Sequence, residues 1–181
     1  MQRRAVFLDR DGVLNSAIVR DGKPYSPASV AEVEIVPEAE RSLARLRDEG
    51  FLLIVVTNQP EVRRGTTTRS IVESINELLR SKLPVDEFFV CYHDDPDECD
   101  CRKPKPGMLL RAAAKYDIDL GRSYLVGDRW RDIEAGALAG CETVFIDYGY
   151  RDPAPKYGPD AAVFSLAQAV DWILSRGQEA E

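Results

Sequence analysis

The chain has 181 residues, 44% hydrophobic and 30% charged, which fits one globular domain over 1–181 with a sizeable core and excludes a fibre or a disordered tail. Lys and Arg number 24 against 31 Asp and Glu, and the formal charge of −7 argues against a general nucleic-acid or anionic-membrane surface. No apolar run approaches a membrane span and the N-terminal segment meets Asp9 after a short apolar stretch, so a cytoplasmic protein with no nucleic-acid or membrane partner is expected.

The first apolar run, 5–8, reads as a buried strand and ends in Asp9-Arg10-Asp11-Gly12. Residues two apart in an extended segment point the same way, so the two carboxylates repel unless a cation such as Mg²⁺ lies between them. Residues 13–36 carry Asp21-Gly22, Pro24, Pro27 and alternating Val30, Val33 and Ile35, the pattern of a small hairpin and loop. A helix is predicted over 38–49, with Ala39, Leu43 and Leu46 on one face, Pro37 as start signal and Gly50 as stop. The strand 51–56 then runs into Thr57-Asn58-Gln59, and 68–83 repeats the helical pattern with Ile71, Ile75, Leu78 and Leu79.

A third strand, 88–90, leads into Cys91-Tyr92-His93 and, five residues on, Cys99-Asp100-Cys101-Arg102-Lys103-Pro104. Three thiols and the only histidine within eleven positions form a Cys₃His set, which suits tetrahedral Zn²⁺ and leaves no open position for a catalytic water. The expected zinc at Cys91, His93, Cys99 and Cys101 is therefore structural. A disulfide pairing is the poorer reading, because two of the cysteines stand one residue apart. The intervening Asp94-Asp95-Pro96-Asp97-Glu98 has nothing apolar to bury and reads as a solvated loop whose shape depends on the metal.

Helices over 108–116, 132–139 and 165–174 alternate with strands 123–126 and 143–146. The first of these strands ends in Val126-Gly127-Asp128-Arg129-Trp130-Arg131-Asp132. The alternation implies an α/β fold: a mainly parallel central sheet covered on both faces, with ligands at the carboxyl ends of the strands. Beyond the hairpin after the first strand and the cysteine loop, no insertion is large enough for a cap domain, so an open site is expected.

Four polar elements fall at strand ends or in the loop that follows: Asp9/Asp11, Thr57, Lys103 and Asp128/Asp132. Phosphoryl transfer needs an in-line nucleophile, neutralisation of the phosphoryl oxygens and a proton for the leaving alkoxide. Asp9 suits the nucleophile and Asp11 the acid and base. Asp128, the Asp9 carboxylate and the Asp11 carbonyl suit Mg²⁺, with Asp132 bracing Lys103 or a metal-bound water. Lys103 adds a compact positive charge, while the Thr57 hydroxyl and nearby amides hold phosphoryl oxygens.

This set resembles the haloacid dehalogenase superfamily of phosphatases. The Cys-x-His and Cys-x-Cys pairs feeding into Arg102-Lys103-Pro104 are similar to its zinc-containing branch, which acts on heptose bisphosphate or histidinol phosphate. The resemblance implies a three-layer Rossmann-like fold, an aspartyl-phosphate intermediate, Mg²⁺ and structural Zn²⁺ as cofactors, and a small phosphorylated sugar as substrate. Thr57-Asn58-Gln59 followed by Arg64-Gly65, and Asn15 after the first motif, look like the heptose enzymes, which makes Asn15, Asn58, Gln59 and Arg64 candidate substrate contacts. Arg102 is presented beside Lys103, and Arg129 stands where that pattern has lysine. Arg64, Arg102, Lys103 and Arg129 on an otherwise acidic protein favour a polyanion such as a sugar bisphosphate. Heptose 1,7-bisphosphate, cleaved at its 7-phosphate, is the expected substrate, histidinol phosphate the alternative, and a monomer the expected state.

Overall fold

The computed structural model describes residues 2–178, with side chains as far as Arg176. Six parallel strands form its central sheet: β1 (Ala5–Leu8), β4 (Leu52–Asn58), β5 (Glu87–Cys91), β6 (Tyr124–Gly127), β7 (Glu142–Ile146) and β8 (Ala161–Val163). Their order is β5-β4-β1-β6-β7-β8. Two short antiparallel strands, β2 (Ile18–Arg20) and β3 (Lys23–Tyr25), form the hairpin after β1. Its turn places Asp21 and Gly22 both at positive φ, the conformation a two-residue hairpin loop requires.

The helices are α1 (Ala39–Asp48), α2 (Glu61–Arg64), α3 (Arg69–Lys82), α4 (Gly107–Tyr116), α5 (Trp130–Ala139) and α6 (Leu166–Gln178). Strand alternation sorts them into layers. Val6 and Leu8 of β1 pack with Leu43 and Leu46 of α1, Ile75 and Leu79 of α3, and Val170 and Ile173 of α6. Ala5 and Phe7 face the other way, against Met108, Leu109 and Ala112 of α4 and Ala135 of α5. Cys91 and Cys101 belong to that second layer, so the cysteine loop is anchored under the sheet at one end.

Two elements depart from the sequence reading. β8 is three residues of modest burial, too short and too alanine-rich for an apolar-run signal. α2 is a single turn behind Pro60, below the length at which helical periodicity can show. Among the described residues no helix is long and apolar enough to cross a membrane.

The strand order fixes where a ligand sits. From β1 the chain first builds outward through β4 and β5, then returns to the other side of β1 with β6. The crevice beyond the carboxyl ends of β1 and β6 is therefore the topological switch point, where open α/β sheets bind ligands. Asp9 and Asp128 follow those two strands, and the Asp9 amide donates to the Val126 carbonyl at 3.0 Å.

Candidate active site

Lys103 is the hub of the crevice. Its side chain is only 2% exposed, and Nζ lies 2.9 Å from Asp9 Oδ1, 2.5 Å from Asp132 Oδ1 and 2.7 Å from the Val56 carbonyl oxygen, which accepts from it. Burial opposes the ammonium charge, but Asp132 and then Asp9 outweigh it and hold Lys103 charged, above its ordinary value. Asn58, at the end of β4, fixes the main chain beneath it: Nδ2 donates to the Lys103 carbonyl at 3.0 Å and Oδ1 accepts from the Lys103 amide at 3.1 Å. Asp132 sits in the first turn of α5, its other oxygen accepting from the Arg129 amide at 3.0 Å.

Asp128 stands apart from this network. Both of its carboxylate oxygens are buried and neither meets a hydrogen-bond donor in ordinary geometry. Burial, and then the charge of Asp9, raise it well above the usual carboxylate range. Burial and the like charge of Asp132 push Asp9 up to about 7, against the pull of Lys103. Single oxygens of Asp9, Asp128 and Asp132 lie within 4.8 Å of one another. The unpartnered buried oxygens of Asp128, set beside the like-charged Asp9 and Asp132, make a donor set that a hard divalent cation fits. Gly12 lets the loop approach this closely: a side chain there would overlap the Asp128 carboxylate, and the backbone φ is +90°.

Asp11 is held quite differently. Arg10, fully buried, donates through Nε to Oδ1 at 3.1 Å and through its terminal nitrogen to Oδ2 at 3.0 Å, and reaches Asn76 of α3 at 3.0 Å. Asn15, Ser26 and Gln59 add donors at 3.0, 2.8 and 2.9 Å. Burial alone would raise Asp11, but the Arg10 charge and these hydrogen bonds bring it below its ordinary value. Asn15 and Gln59, expected to contact substrate, are thus buried against Asp11 instead, and Gln59 also donates to the Thr57 hydroxyl at 3.0 Å. Each carries an amide that donates to the buried Asp11 carboxylate, which draws it away from the crevice. Arg10, Ser26 and Asn76 escaped the sequence reading.

Above this floor lies a cavity of about 290 Å³ that Asp9, Asp11, Thr57, Lys103 and Asp128 line from below. Arg64, Arg102, Arg129 and Arg131 line its rim, and residues 23–26 of the hairpin form one wall. None of these four arginines stands alone. Arg64 pairs with Asp94 at 2.6 Å, Arg102 with Asp95 at 2.7 Å, Arg131 with Asp95 at 3.3 Å, and Arg129 with Asp152. Asp97 pairs with Arg63 at 2.9 Å. The stretch 94–98, expected to be a solvated loop, is therefore tied by ion pairs to the rim. Its partners on α2 and α5 lie far away in sequence, which hides the pairing from a linear reading.

The four ligand atoms of Cys91, His93, Cys99 and Cys101 lie within 4.8 Å of one another. The sulfurs stand 3.1 to 3.7 Å apart and His93 Nδ1 lies 3.3 Å from the Cys101 sulfur. A zinc tetrahedron with bonds of about 2.3 Å spaces its sulfurs by roughly 3.8 Å, so the donor set fits that ion with small adjustments. All four cysteines are free thiols. Lys105 completes the loop, Nζ donating to the carbonyls of Cys99 and Glu98 at 2.7 and 3.2 Å.

Comparison with known proteins agrees with this geometry. A family model described as HAD-hydrolase-like matches residues 100–169. D-glycero-beta-D-manno-heptose-1,7-bisphosphate 7-phosphatase of Pseudomonas aeruginosa is 34% identical over 82% of this chain and 84% of its own length. The Escherichia coli K12 protein of the same name is 34% identical over 94% of this chain and 88% of its own. The crystal structure of D,D-heptose 1,7-bisphosphate phosphatase from B. bronchiseptica, complexed with magnesium and phosphate, superposes with a TM-score of 0.78 at 30% identity, covering 96% of this chain and 99% of that one. The chain is a phosphatase of the haloacid dehalogenase-like hydrolases and belongs to the family that holds the heptose-1,7-bisphosphate 7-phosphatases.

Proposed function

We propose that this phosphatase removes the 7-phosphate of D-glycero-D-manno-heptose 1,7-bisphosphate through a phospho-Asp9 intermediate, as a cytoplasmic enzyme. The observation that carries the reading is the one cavity in which Asp9, Lys103 and Asp128 form the floor and four arginines the rim. A cationic rim over an anion-binding floor suits a substrate charged at both ends. The histidinol phosphate alternative needs free carboxylates near the mouth for its amine. Of the acidic side chains toward the rim, Asp95 is engaged by Arg102 and Arg131, and Glu61 stands 3.9 Å from Arg64 with its other oxygen buried rather than open to an incoming amine.

In this mechanism Asp9 attacks phosphorus, and the bond to the sugar oxygen breaks as the oxygen takes a proton from Asp11. Water then attacks the phospho-Asp9, yielding its proton to Asp11 and releasing phosphate. Asp11 is ionised as the structure holds it, the form that accepts a proton from water. A phosphoryl group entering beside it raises its proton affinity by like-charge repulsion, which prepares the acid form. Lys103 neutralises phosphoryl oxygens, and the Thr57 hydroxyl donates to one. Asp9, Asp128 and the Asp11 carbonyl would hold Mg²⁺, which supplies a template and charge neutralisation when bound. The Cys₃His set would hold Zn²⁺ and fix the main chain that delivers Arg102 and Lys103.

The test is phosphate release with Mg²⁺, comparing kcat/KM for heptose 1,7-bisphosphate, fructose 1,6-bisphosphate and histidinol phosphate. A preference for the heptose of about a hundredfold, roughly 2.7 kcal/mol in the transition state, is expected. Faster turnover of histidinol phosphate would sink the substrate assignment and leave the phosphatase chemistry standing.

A further inference from the structure

Building on the bisphosphate reading above, we propose that Asp95 determines specificity by occupying the seat of the substrate's second anionic group between Arg102 and Arg131. Its Oδ1 lies 2.7 Å from Arg102 Nε and 3.3 Å from a terminal nitrogen of Arg131, and Oδ2 lies 3.3 Å from the other. One carboxylate thus bridges two guanidinium groups, the arrangement a phosphate oxygen pair also satisfies.

The two arginines are fixed by other contacts. Arg102 is buried, donating to the His93 carbonyl at 3.4 Å and standing 3.5 Å from Asp94. Arg131 donates to the Lys103 carbonyl at 3.3 Å and lies over the Trp130 ring at 4.6 Å. Asp95, by contrast, has a side chain 57% exposed. The donors are therefore pre-organised, and the acid, whose own side chain is open to water, is the exchangeable member. All three residues line the cavity that Asp9 enters.

Asp95 acts as an internal competitor. A ligand that brings a second phosphate displaces it into solvent and gains two guanidinium groups, whereas a ligand without one leaves the carboxylate in place. Closing the seat in the free enzyme lowers apparent affinity for the second phosphate by the fraction of time the seat is occupied.

The matched substrates are heptose 1,7-bisphosphate and heptose 7-phosphate, which share the reacting phosphate and differ only at the remote one. The readout is the ratio of their kcat/KM values. In Asp95→Asn the ratio should rise about fivefold, through KM of the bisphosphate, because an amide no longer competes as an anion. An unchanged or lower ratio overturns the proposal, since a purely structural role in the loop affects both substrates alike. Arg131→Gln carries the same test should Asp95→Asn fold poorly: its ratio should fall by a similar factor, and an unaltered ratio refutes the seat. The native enzyme separates the two levels of the argument. No preference for the bisphosphate there refutes the substrate reading itself, while a native preference untouched by either variant refutes only the seat.

Discussion

The molecule gathers two sets of metal-type ligands, and they are built in opposite ways. The carboxylate set draws Asp9 and Asp128 from beyond the ends of β1 and β6, more than a hundred residues apart in sequence and adjacent through a register that pairs Leu8 with Val126. The Cys₃His set takes Cys91 from the last position of β5 and its other three ligands from the loop that leads to α4, whose middle contributes no buried residue. The parallel sheet shapes the first site whether or not a cation is present, so a cation there serves chemistry. The second has little core of its own, so a cation there serves shape.

The largest effect tests the chemical side of this contrast. Asp9→Asn should lower kcat by about a thousandfold or more, because an amide cannot form the phospho-enzyme. Far-UV circular dichroism and melting temperature should stay native-like or rise, since the substitution removes a buried charge that repels Asp132 and Asp128. Retained phosphate release would break the covalent mechanism. Collapse of the fold would show that the strand-end site depends on its charges for shape.

The loop should behave in the reverse manner. Cys101→Ser removes a buried ligand whose sulfur lies 3.1 Å from that of Cys91. The variant should lose its zinc by elemental analysis, melt lower, and lose about a hundredfold in kcat/KM although Cys101 touches no substrate. Removal of Mg²⁺ by a mild chelator should instead abolish activity reversibly with the fold intact, lowering the melting temperature only by the lost binding energy of the ion. A zinc-free variant with native activity would show that the loop holds Lys103 unaided.

Asn58 is the joint between the two regions, clamping the Lys103 main chain to β4 with a reciprocal pair of hydrogen bonds. Asn58→Ala leaves both metal sets intact but frees the backbone that carries the lysine. We expect about a tenfold loss in kcat, with zinc content preserved, since small misplacements of a charge-stabilising group are costly to the transition state. A loss carried by KM alone would make Asn58 a substrate contact, as its sequence position first suggested.

Much of this was legible in the chain. The five strongest strands showed as short apolar runs because a parallel sheet buried on both faces needs them. Asp9, Thr57, Lys103 and Asp128 showed because strand ends in such a sheet converge, and the cysteine loop showed because its ligands are local. What stayed hidden depends on contacts between distant segments. Asp94 and Asp95 resemble any solvated acidic run until α2 and α5 bring Arg64 and Arg131 beside them. Asn15 and Gln59 resemble substrate contacts until Asp11 is seen to need donors in a site where burial would otherwise neutralise it. Arg10 looks like a spacer between two aspartates, and only the packing of α3 against the sheet places Asn76 where it can anchor the guanidinium.

The smallest effect concerns how far the loop holds itself. Glu98 adopts a left-handed backbone conformation at φ +50°, unfavourable for a residue with a side chain by about 1 kcal/mol. Lys105 offsets that strain by donating to the Glu98 and Cys99 carbonyls, joining the two sides of the loop next to a member of the Cys₃His set. Lys105→Met keeps the length of the side chain and removes both donors, a change of about 1 kcal/mol for exposed hydrogen bonds from a charged group. Zinc should then pass to a chromogenic chelator about fivefold faster, while kcat at saturating Mg²⁺ stays near native because Lys103 and Asn58 keep their bonds. Equal release rates would mean that the four ligands alone set the lifetime of the metal. A fall in kcat without faster release would mean that Lys105 acts on the cavity, and the separation between a site that shapes and a site that reacts would be less complete than the geometry implies.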